Sequence, residues 1–365
     1  MPEGAAPTST AIRPIQGALV GANLERCIYC NGTSITRQGR RYKKYETVQL
    51  WYCDTCDCVF TPQHSKGKTY PLKVILESLM HYYRGESRAR AVQKIHERYG
   101  LRVPERTLSA WLAEHRALTT YARLRAEGAR LYSPYRLIRS VRLHHQQVYE
   151  YRIHNGKLAT ILASSQHQRF ASVSTYLIEM ARACPNHLFN AEARASQGKA
   201  AFDLNGVEIK SLRNYACRVG DLVLQSVVHH KRRHEELQRF MLTTDSVTVA
   251  VEVPVFLTPE DIVYFRDECG FNVPIESSIP LTGHIDVLQI RNGAVHILDY
   301  KPGAKGDRPI AQLMVYALAL SRRMNLKLFD FVCAWFDEHH YFEFYPLHVV
   351  RKRGRTAGSG RLSAA

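Results

Sequence analysis

Three side chains in one short run carry the most legible chemistry in this chain. They are the carboxylates of Asp286 and Asp299 and the ammonium of Lys301, within Gly283-His284-Ile285-Asp286-Val287-Leu288-Gln289-Ile290-Arg291-Asn292-Gly293-Ala294-Val295-His296-Ile297-Leu298-Asp299-Tyr300-Lys301. Asn-Gly is the strongest two-residue signal for a type I′ turn, and the flanking segments are β-branched and apolar, so the run predicts a β-hairpin. With Asn292 and Gly293 as the turn, Arg291 faces Ala294, and counting back pair by pair sets Asp286 opposite Asp299. Directly paired Cβ atoms lie roughly 4.5–5.5 Å apart, where two like charges repel unless something positive sits between them. Period-two alternation puts Lys301 on the face of Asp299, with Val295 and Ile297 on the same side nearer the turn. Two such acids suit Mg²⁺ or Mn²⁺, which take hard oxygen ligands. An ion so held polarises a phosphate and acidifies a bound water, while a lysine positions that water or steadies the developing charge. The constellation is therefore the one metal-assisted phosphodiester hydrolysis requires. Asp-x-Lys also occurs by chance on surface hairpins, but the apolar flanks here predict a buried strand, where an unpaired charge is costly.

A second constellation lies near the start of the chain. Cys27-Ile28-Tyr29-Cys30 and Cys53-Asp54-Thr55-Cys56 are two CxxC knuckles, spaced slightly beyond the usual zinc-ribbon range. Each knuckle presents two thiolates, so Cys27, Cys30, Cys53 and Cys56 complete a tetrahedral Zn²⁺ site with no open position for a reacting water, and the zinc is expected to be structural. Cys58 and His64 stand nearby as substitute ligands that the pattern does not require. Between the knuckles, Arg40, Arg41, Lys43 and Lys44 form a basic turn beside aromatic residues, which suits a phosphate backbone. The other cysteines, Cys58, Cys184, Cys217, Cys269 and Cys333, are scattered singly, a pattern of metal binding in a reducing compartment rather than of disulfides.

The elements that must position these groups are readable in outline. Val247 to Val255 alternates as a strand that offers Glu252 as another acid. Gln312 and Tyr316, four residues apart on a predicted helix, share a face. Downstream of the cysteines, Leu72 to Met80 and Ser87 to Tyr99 have helical periodicity and Gly100 closes the second segment. Pro104 opens a third, in which Leu108, Trp111 and Leu112 make an inward stripe. Three short helices in this layout fit a helix-turn-helix, which would turn Glu105, Arg106 and Ser109 toward bases. The alternative is an ordinary helical bundle. From Ala117 to about Gln225 the pattern is mixed and reads as helical scaffold, with an amphipathic segment from Phe170 to Met180. His144, His145 and His154 in it lack partners at metal-ligand spacing and are expected to be solvated or hydrogen-bonded.

Lys and Arg number 50 against 33 Asp and Glu, and the resulting +17 favours a polyanionic partner such as nucleic acid. No stretch approaches the roughly eighteen uninterrupted apolar residues of a membrane span, and the start Met1-Pro2-Glu3-Gly4 lacks the basic flank and apolar run of a signal peptide. A cytoplasmic, nucleoid-associated protein is expected. Apolar residues at 45% and charged residues at 23% exclude a disordered chain.

Two resemblances sharpen this reading. Residues from about Cys27 to Trp111 resemble the N-terminal region of insertion-sequence transposases: a CxxC ribbon ending in Phe60-Thr61, then a Gly85-Glu86-Ser87 turn, then a recognition helix from Thr107 to Trp111. That resemblance implies DNA binding, not strand transfer. The last third resembles RecB-type PD-(D/E)XK nucleases, through an E-x-P strand (Glu252 to Pro254), a G-x-I-D strand (Gly283 to Asp286), a D-x-K strand followed by Pro-Gly (Asp299 to Gly303) and a Q-x-x-x-Y helix (Gln312 to Tyr316). It implies metal binding by Asp286 and Asp299, water activation by Lys301 and substrate contact by Gln312 and Tyr316. It also implies a histidine on a helix before the sheet, for which His230 fits better than His229. Related adaptation nucleases carry an iron–sulfur centre after the lysine motif; only Cys333 remains there, so no cluster is expected.

The expected architecture is multi-domain: a tail over 1–23, a zinc β-ribbon over 24–66, a helix-turn-helix over 67–118, a helical middle over 119–222, a C-terminal α/β restriction-endonuclease-like domain with a mixed central sheet over 223–350, and a basic flexible tail over 351–365. The expected partner is DNA, not a membrane, with a homodimer or a transposase or recombination protein as further partners. The rival to a DNA nuclease is a non-catalytic DNA-binding regulator or transposon accessory protein with an inactive nuclease fold. An RNA-directed nuclease is less supported, since no aromatic RNA-binding signature is present.

Overall fold

The computed structural model describes residues 24–351, apart from 25, 63, 65, 191, 192, 198–200, 206, 213 and 228. The first expected tail, and all of the second but Arg351, lie outside the described residues.

Strands β1 (Ile35–Tyr42) and β2 (Thr47–Cys53) form an antiparallel hairpin, and β3 (Cys58–Phe60) pairs with the other edge of β2. Helices α1 (Leu72–Tyr83), α2 (Arg88–Tyr99) and α3 (Glu105–Glu114) follow. The Ser87 side chain caps α2 by accepting from the Arg90 N–H, and Gly100 closes it in the left-handed region at φ 68°. Pro104 is the N-cap of α3, one position before its expected place.

After the short helices α4 (Arg125–Leu131) and α5 (Pro134–Leu137), the chain runs into strands β4 (Ile138–His145) and β5 (Gln147–His154). This corrects the helical reading of the middle block. Val141, Leu143 and His145 alternate inward against exposed Arg142 and His144, a period of two that short length and interspersed charge concealed. Next come α6 (Asn155–Leu162), α7 (Ala171–Ala183), β6 (Lys210–Leu212), α8 (Tyr215–Leu224) and α9 (Arg233–Thr244). The C-terminal part is β7 (Thr248–Leu257), α10 (Pro259–Asp267), β8 (Leu281–Arg291), β9 (Ala294–Tyr300), α11 (Ile310–Met324), β10 (Phe331–Phe336), β11 (Tyr341–Phe344) and α12 (Pro346–Val350).

The described residues divide into two compact units that interleave along the sequence: those up to Arg139, His154–Thr160 and Asn214–Val247 form one, and Ser140–Ile153, Ile161–Arg213 and those from Thr248 onward the other. In the first unit, Tyr45 stacks on Tyr70 at 5.5 Å between ring centroids and Tyr70 meets Trp111 edge-on at 5.4 Å, a run of rings that joins ribbon to helices. A fully buried ion pair, Lys157 to Asp245 at 3.2 Å, closes the same unit, with the Lys157 ammonium also donating to the Leu242 carbonyl at 2.6 Å.

The second unit is built on an eight-stranded sheet of order β4-β5-β7-β8-β9-β10-β11-β6. It is mixed: β9 and β10 run parallel while β8 is antiparallel to both of its neighbours, β7 and β9. All of β10 and nearly all of β7 and β9 are buried, as expected of central strands covered on both faces. A mixed sheet flanked by helices is consistent with a restriction-endonuclease-like fold. No helix among the described residues is long and apolar enough to cross a membrane.

Candidate active site

The Asn292-Gly293 turn, with φ of 51° and 69°, is left-handed at both residues, as a type I′ hairpin needs, and it sets Arg291 opposite Ala294. The ladder runs from there to Val287 opposite Leu298 and stops one pair short of the acids. At that point the strands splay. The Asp286 carboxylate supplies the acceptor a neighbouring strand would have given, taking the Tyr300 N–H at 2.9 Å. β9 continues against β10 instead, with Asp299 opposite Trp335.

On the other side of β8, Val251 pairs with Val287 and Val253 with Ile285, so Glu252 sits at the level of Asp286. Glu252, Asp286 and Asp299 therefore stand at one level of three adjacent strands. Glu252 has φ 52°, a left-handed conformation in mid-strand that costs a non-glycine residue of the order of 1–2 kcal/mol. Strain of this kind persists only where the surroundings enforce it, and it concentrates at functional sites.

Asp299 is 2% exposed. Its Oδ2 lies 3.0 Å from the Lys301 Nζ, and its Oδ1 accepts from the Gln312 Nε2 at 3.1 Å. Burial pulls the Lys301 pKa down, but Asp299, through charge and hydrogen bond, with further help from Asp286 and Asp307, outweighs burial, and the net shift is upward. Lys301 is thus held as an ammonium. The same Gln312 Nε2 donates to the Tyr316 hydroxyl at 3.0 Å, so the two α11 residues share a face. Tyr316 is pushed well above the ordinary phenol range by burial first and then by the charges of Asp299, Asp286 and Glu252, and it stays a neutral hydroxyl.

Gly283 explains why the strand can come so close. A Cβ there would lie 2.5 Å from the Tyr316 Cε1 and 2.7 Å from its hydroxyl, so only glycine admits the ring against β8. The contact between the G-x-I-D strand and the Q-x-x-x-Y helix is legible only as a glycine in a strand, a residue that often marks close approach. Nothing in the sequence announced the Glu252 backbone.

Carboxylates are the hard oxygen donors a divalent cation takes, and the ammonium of Lys301 offsets one of the three charges, but among the described residues only the four N-terminal cysteines bring three or more ligand atoms close enough together to share one ion. The four N-terminal cysteines offer a different donor set. Their Sγ atoms all lie within 4.8 Å of one another, Cys27 to Cys56 at 3.6 Å and Cys30 to Cys53 at 3.5 Å. The Tyr29 and Gly32 N–H groups point at the Cys27 and Cys30 sulfurs at 3.3 and 3.4 Å. Four thiols so placed have the number and chemistry of a structural zinc site. Cys58 instead donates to the Cys56 carbonyl at 3.2 Å, and His64 pairs with Asp221 at 3.3 Å.

Residues 160–330 match the family model of the PD-(D/E)XK nuclease superfamily. The matched segment contains Glu252, Asp286, Asp299, Lys301, Gln312 and Tyr316. Members of this superfamily are generally metal-dependent nucleases that use Mg²⁺ or Mn²⁺ and take DNA as substrate. No curated protein and no solved structure matches the chain.

The other expected site residues are placed as follows. His230 opens the short 3₁₀ turn His230–Arg232 in the first unit, and its side chain lies outside the described residues. Arg40, Arg41 and Arg106 are exposed. Lys43 pairs with Glu46 at 3.3 Å, and Lys44 lies over the Tyr45 ring at 5.1 Å. Ser109 donates to the Glu105 carbonyl at 3.1 Å and accepts from Arg88 at 3.0 Å. His145 and His154 are buried, His145 bonded to Asn186 at 2.7 Å and His154 accepting from the Lys157 N–H at 3.1 Å.

Proposed function

We propose that this chain is a DNA nuclease of the RecB-like PD-(D/E)XK type, in which Asp286 and Asp299, with Glu252 as a further acid, hold Mg²⁺ or Mn²⁺. The observation that carries the reading is the alignment of these acids at one level of β7, β8 and β9, with Lys301 against Asp299, inside the segment the family model matches. A cation bound there supplies Lewis acidity toward a phosphoryl oxygen and lowers the pKa of water.

The chain's own residues do the rest. Lys301, against Asp299, positions and activates the attacking water and offsets charge growing on the phosphate. Gln312 orients Asp299 through its side-chain amide. The family resemblance adds Tyr316, a neutral phenol beside the acids, as a substrate contact.

The ribbon, with zinc on Cys27, Cys30, Cys53 and Cys56, and the helices α1 to α3, acting as a helix-turn-helix of the transposase type, recruit the DNA. Arg40, Arg41, Lys43 and Lys44 meet phosphates, and Arg106 and Ser109 meet base edges. The expected limits of the ribbon, 24–66, and of the helix-turn-helix, 67–118, stand as part of this proposal, as do a homodimer or recombination partner and a nucleoid location.

The test is cleavage of linear, circular and single-stranded DNA by the purified chain with Mg²⁺ or Mn²⁺, beside Asp299→Ala. Cutting by the wild type and not by the variant supports the assignment, and cut closed circles identify an endonuclease. Activity that survives in the variant refutes the site, and binding by both without cutting points to a regulator.

A further inference from the structure

The ribbon's outer strand is built differently from its neighbours. Most of β2 is buried or half-buried, whereas every residue of β1 after Ile35 is exposed. The β1–β2 register also breaks once. Arg37 pairs with Trp51, but Arg40, not Gly39, pairs with Gln49, so β1 carries one extra residue between them. Gly39 takes up the bulge at φ 99°, and the buried Gln49 side chain holds it, donating to the Gly39 carbonyl at 2.7 Å.

The bulge decides which side chains line up. In a regular strand, residues 37 and 40 face opposite ways. Here Arg37 is opposite Trp51, Arg40 opposite Gln49 and Tyr42 opposite Thr47, and these partners, at alternate positions of β2, share one face. Arg37, Arg40 and Tyr42 therefore form a single row, spaced by about 6.8 Å per step. Arg41, opposite Val48, looks the other way. The row ends in an aromatic ring that is 78% exposed and packs on no other ring among the described residues.

We propose that this row binds single-stranded DNA, with Arg37 and Arg40 on consecutive phosphates and a base stacked on Tyr42. The inference rests on the reading of the ribbon as the DNA-recruiting end of the chain. A duplex keeps its bases stacked inside, so to a strand lying along its outside it offers the ring no π-face and only a phosphate for its hydroxyl. A single strand offers charge and π-face together, which is what this row is equipped to meet.

The test reads binding without cleavage, by fluorescence anisotropy of the full chain in buffer free of added divalent cations. The probes are a labelled thymidine homopolymer and a labelled duplex of equal length. Tyr42→Ala is expected to weaken single-strand binding about five- to a hundredfold, the worth of one stacked base, and to weaken duplex binding far less. Tyr42→Phe retains the affinity. Arg40→Ala is expected to weaken single-strand binding more than Arg41→Ala, although each removes one charge from the same strand.

Unchanged single-strand binding in Tyr42→Ala, equal losses on both probes, or equal effects of the two arginine variants would overturn the proposal. Because no bond is cut, that failure is separate from failure of the nuclease assignment, which is read from cleavage and Asp299→Ala.

Discussion

Gly283→Ala offers the sharpest probe of how the second unit holds its acids. The added Cβ would lie 2.5 Å from the Tyr316 Cε1, 2.9 Å from Cζ and 2.7 Å from the hydroxyl, whereas carbon atoms in favourable contact sit about 3.5–4.0 Å apart. The ring has to retreat by roughly an ångström. It has no open space to retreat into, because Tyr316 is 3% exposed and lies among the buried residues of α11. Overpacking of this kind costs about 1–3 kcal/mol.

The damage should also travel. Displacing the hydroxyl disturbs the hydrogen bond at 3.0 Å from Gln312, whose amide also holds Asp299 at 3.1 Å, and a misplacement of about 1 Å at a reacting centre costs on the order of a hundredfold in rate. Urea unfolding and metal-dependent cleavage would be measured for Gly283→Ala, Tyr316→Leu and the double variant. Leucine lacks the atoms that clash, so in its background Gly283→Ala should cost less than about 0.5 kcal/mol, leaving a coupling of at least about 0.5 kcal/mol. An equal cost of Gly283→Ala in both backgrounds would refute the contact and the link drawn from Gly283 through Tyr316 to Asp299.

Three further outcomes are expected. Removing the cysteine-bound metal with a thiol-modifying reagent should release about one zinc per chain, and Cys53→Ser should lose it; both should lower DNA affinity while cleavage at saturating DNA persists. Glu252→Gly should hold or gain stability, by up to about 1 kcal/mol, because glycine accepts a φ of 52° freely, and should lose cleavage; a stability loss above that would mean the backbone there is not strained. Burial, only partly offset by Asp245, lowers Lys157 to about 8 from an ordinary 10.5. Between those values the unfolded chain binds more protons, so stability rises with pH across that window, by no more than about 3 kcal/mol. Urea unfolding from pH 8 upward should show that rise in the wild type and not in Lys157→Met.

The hairpin was legible because one dipeptide fixes its turn, and the turn fixes the register of everything attached to it. The cysteine cluster was legible because four ligands at knuckle spacing need no tertiary information. β4 and β5 escaped notice because Arg142, His144 and Arg152 interrupt short apolar alternations that only pairing with other strands completes. The interleaving of the units was equally hidden: α8 and α9 follow β6 in the chain yet pack in the first unit, a choice made by buried surfaces rather than local pattern. Glu252 reads as ordinary extended strand, and its left-handed backbone is imposed by its neighbours.

The departures from ideal sheet geometry in the second unit fall together. The β8–β9 ladder stops just before the acids, Glu252 is twisted out of the extended region beside them, and Gly283 gives up a side chain three residues away so that Tyr316 can approach. Each weakens the sheet taken alone, since a continuous ladder, a relaxed backbone and a packed side chain would all be more stable. Splayed strands, however, free the Asp286 and Asp299 side chains from the tight facing of a regular pair, where two carboxylates would repel across about 5 Å. The fork lets Asp286 take a backbone N–H while Asp299 turns to Lys301 and Gln312. A sheet optimised only for stability would close this fork with apolar residues, and the three acids that stand there instead are the physical argument behind the proposed cation site.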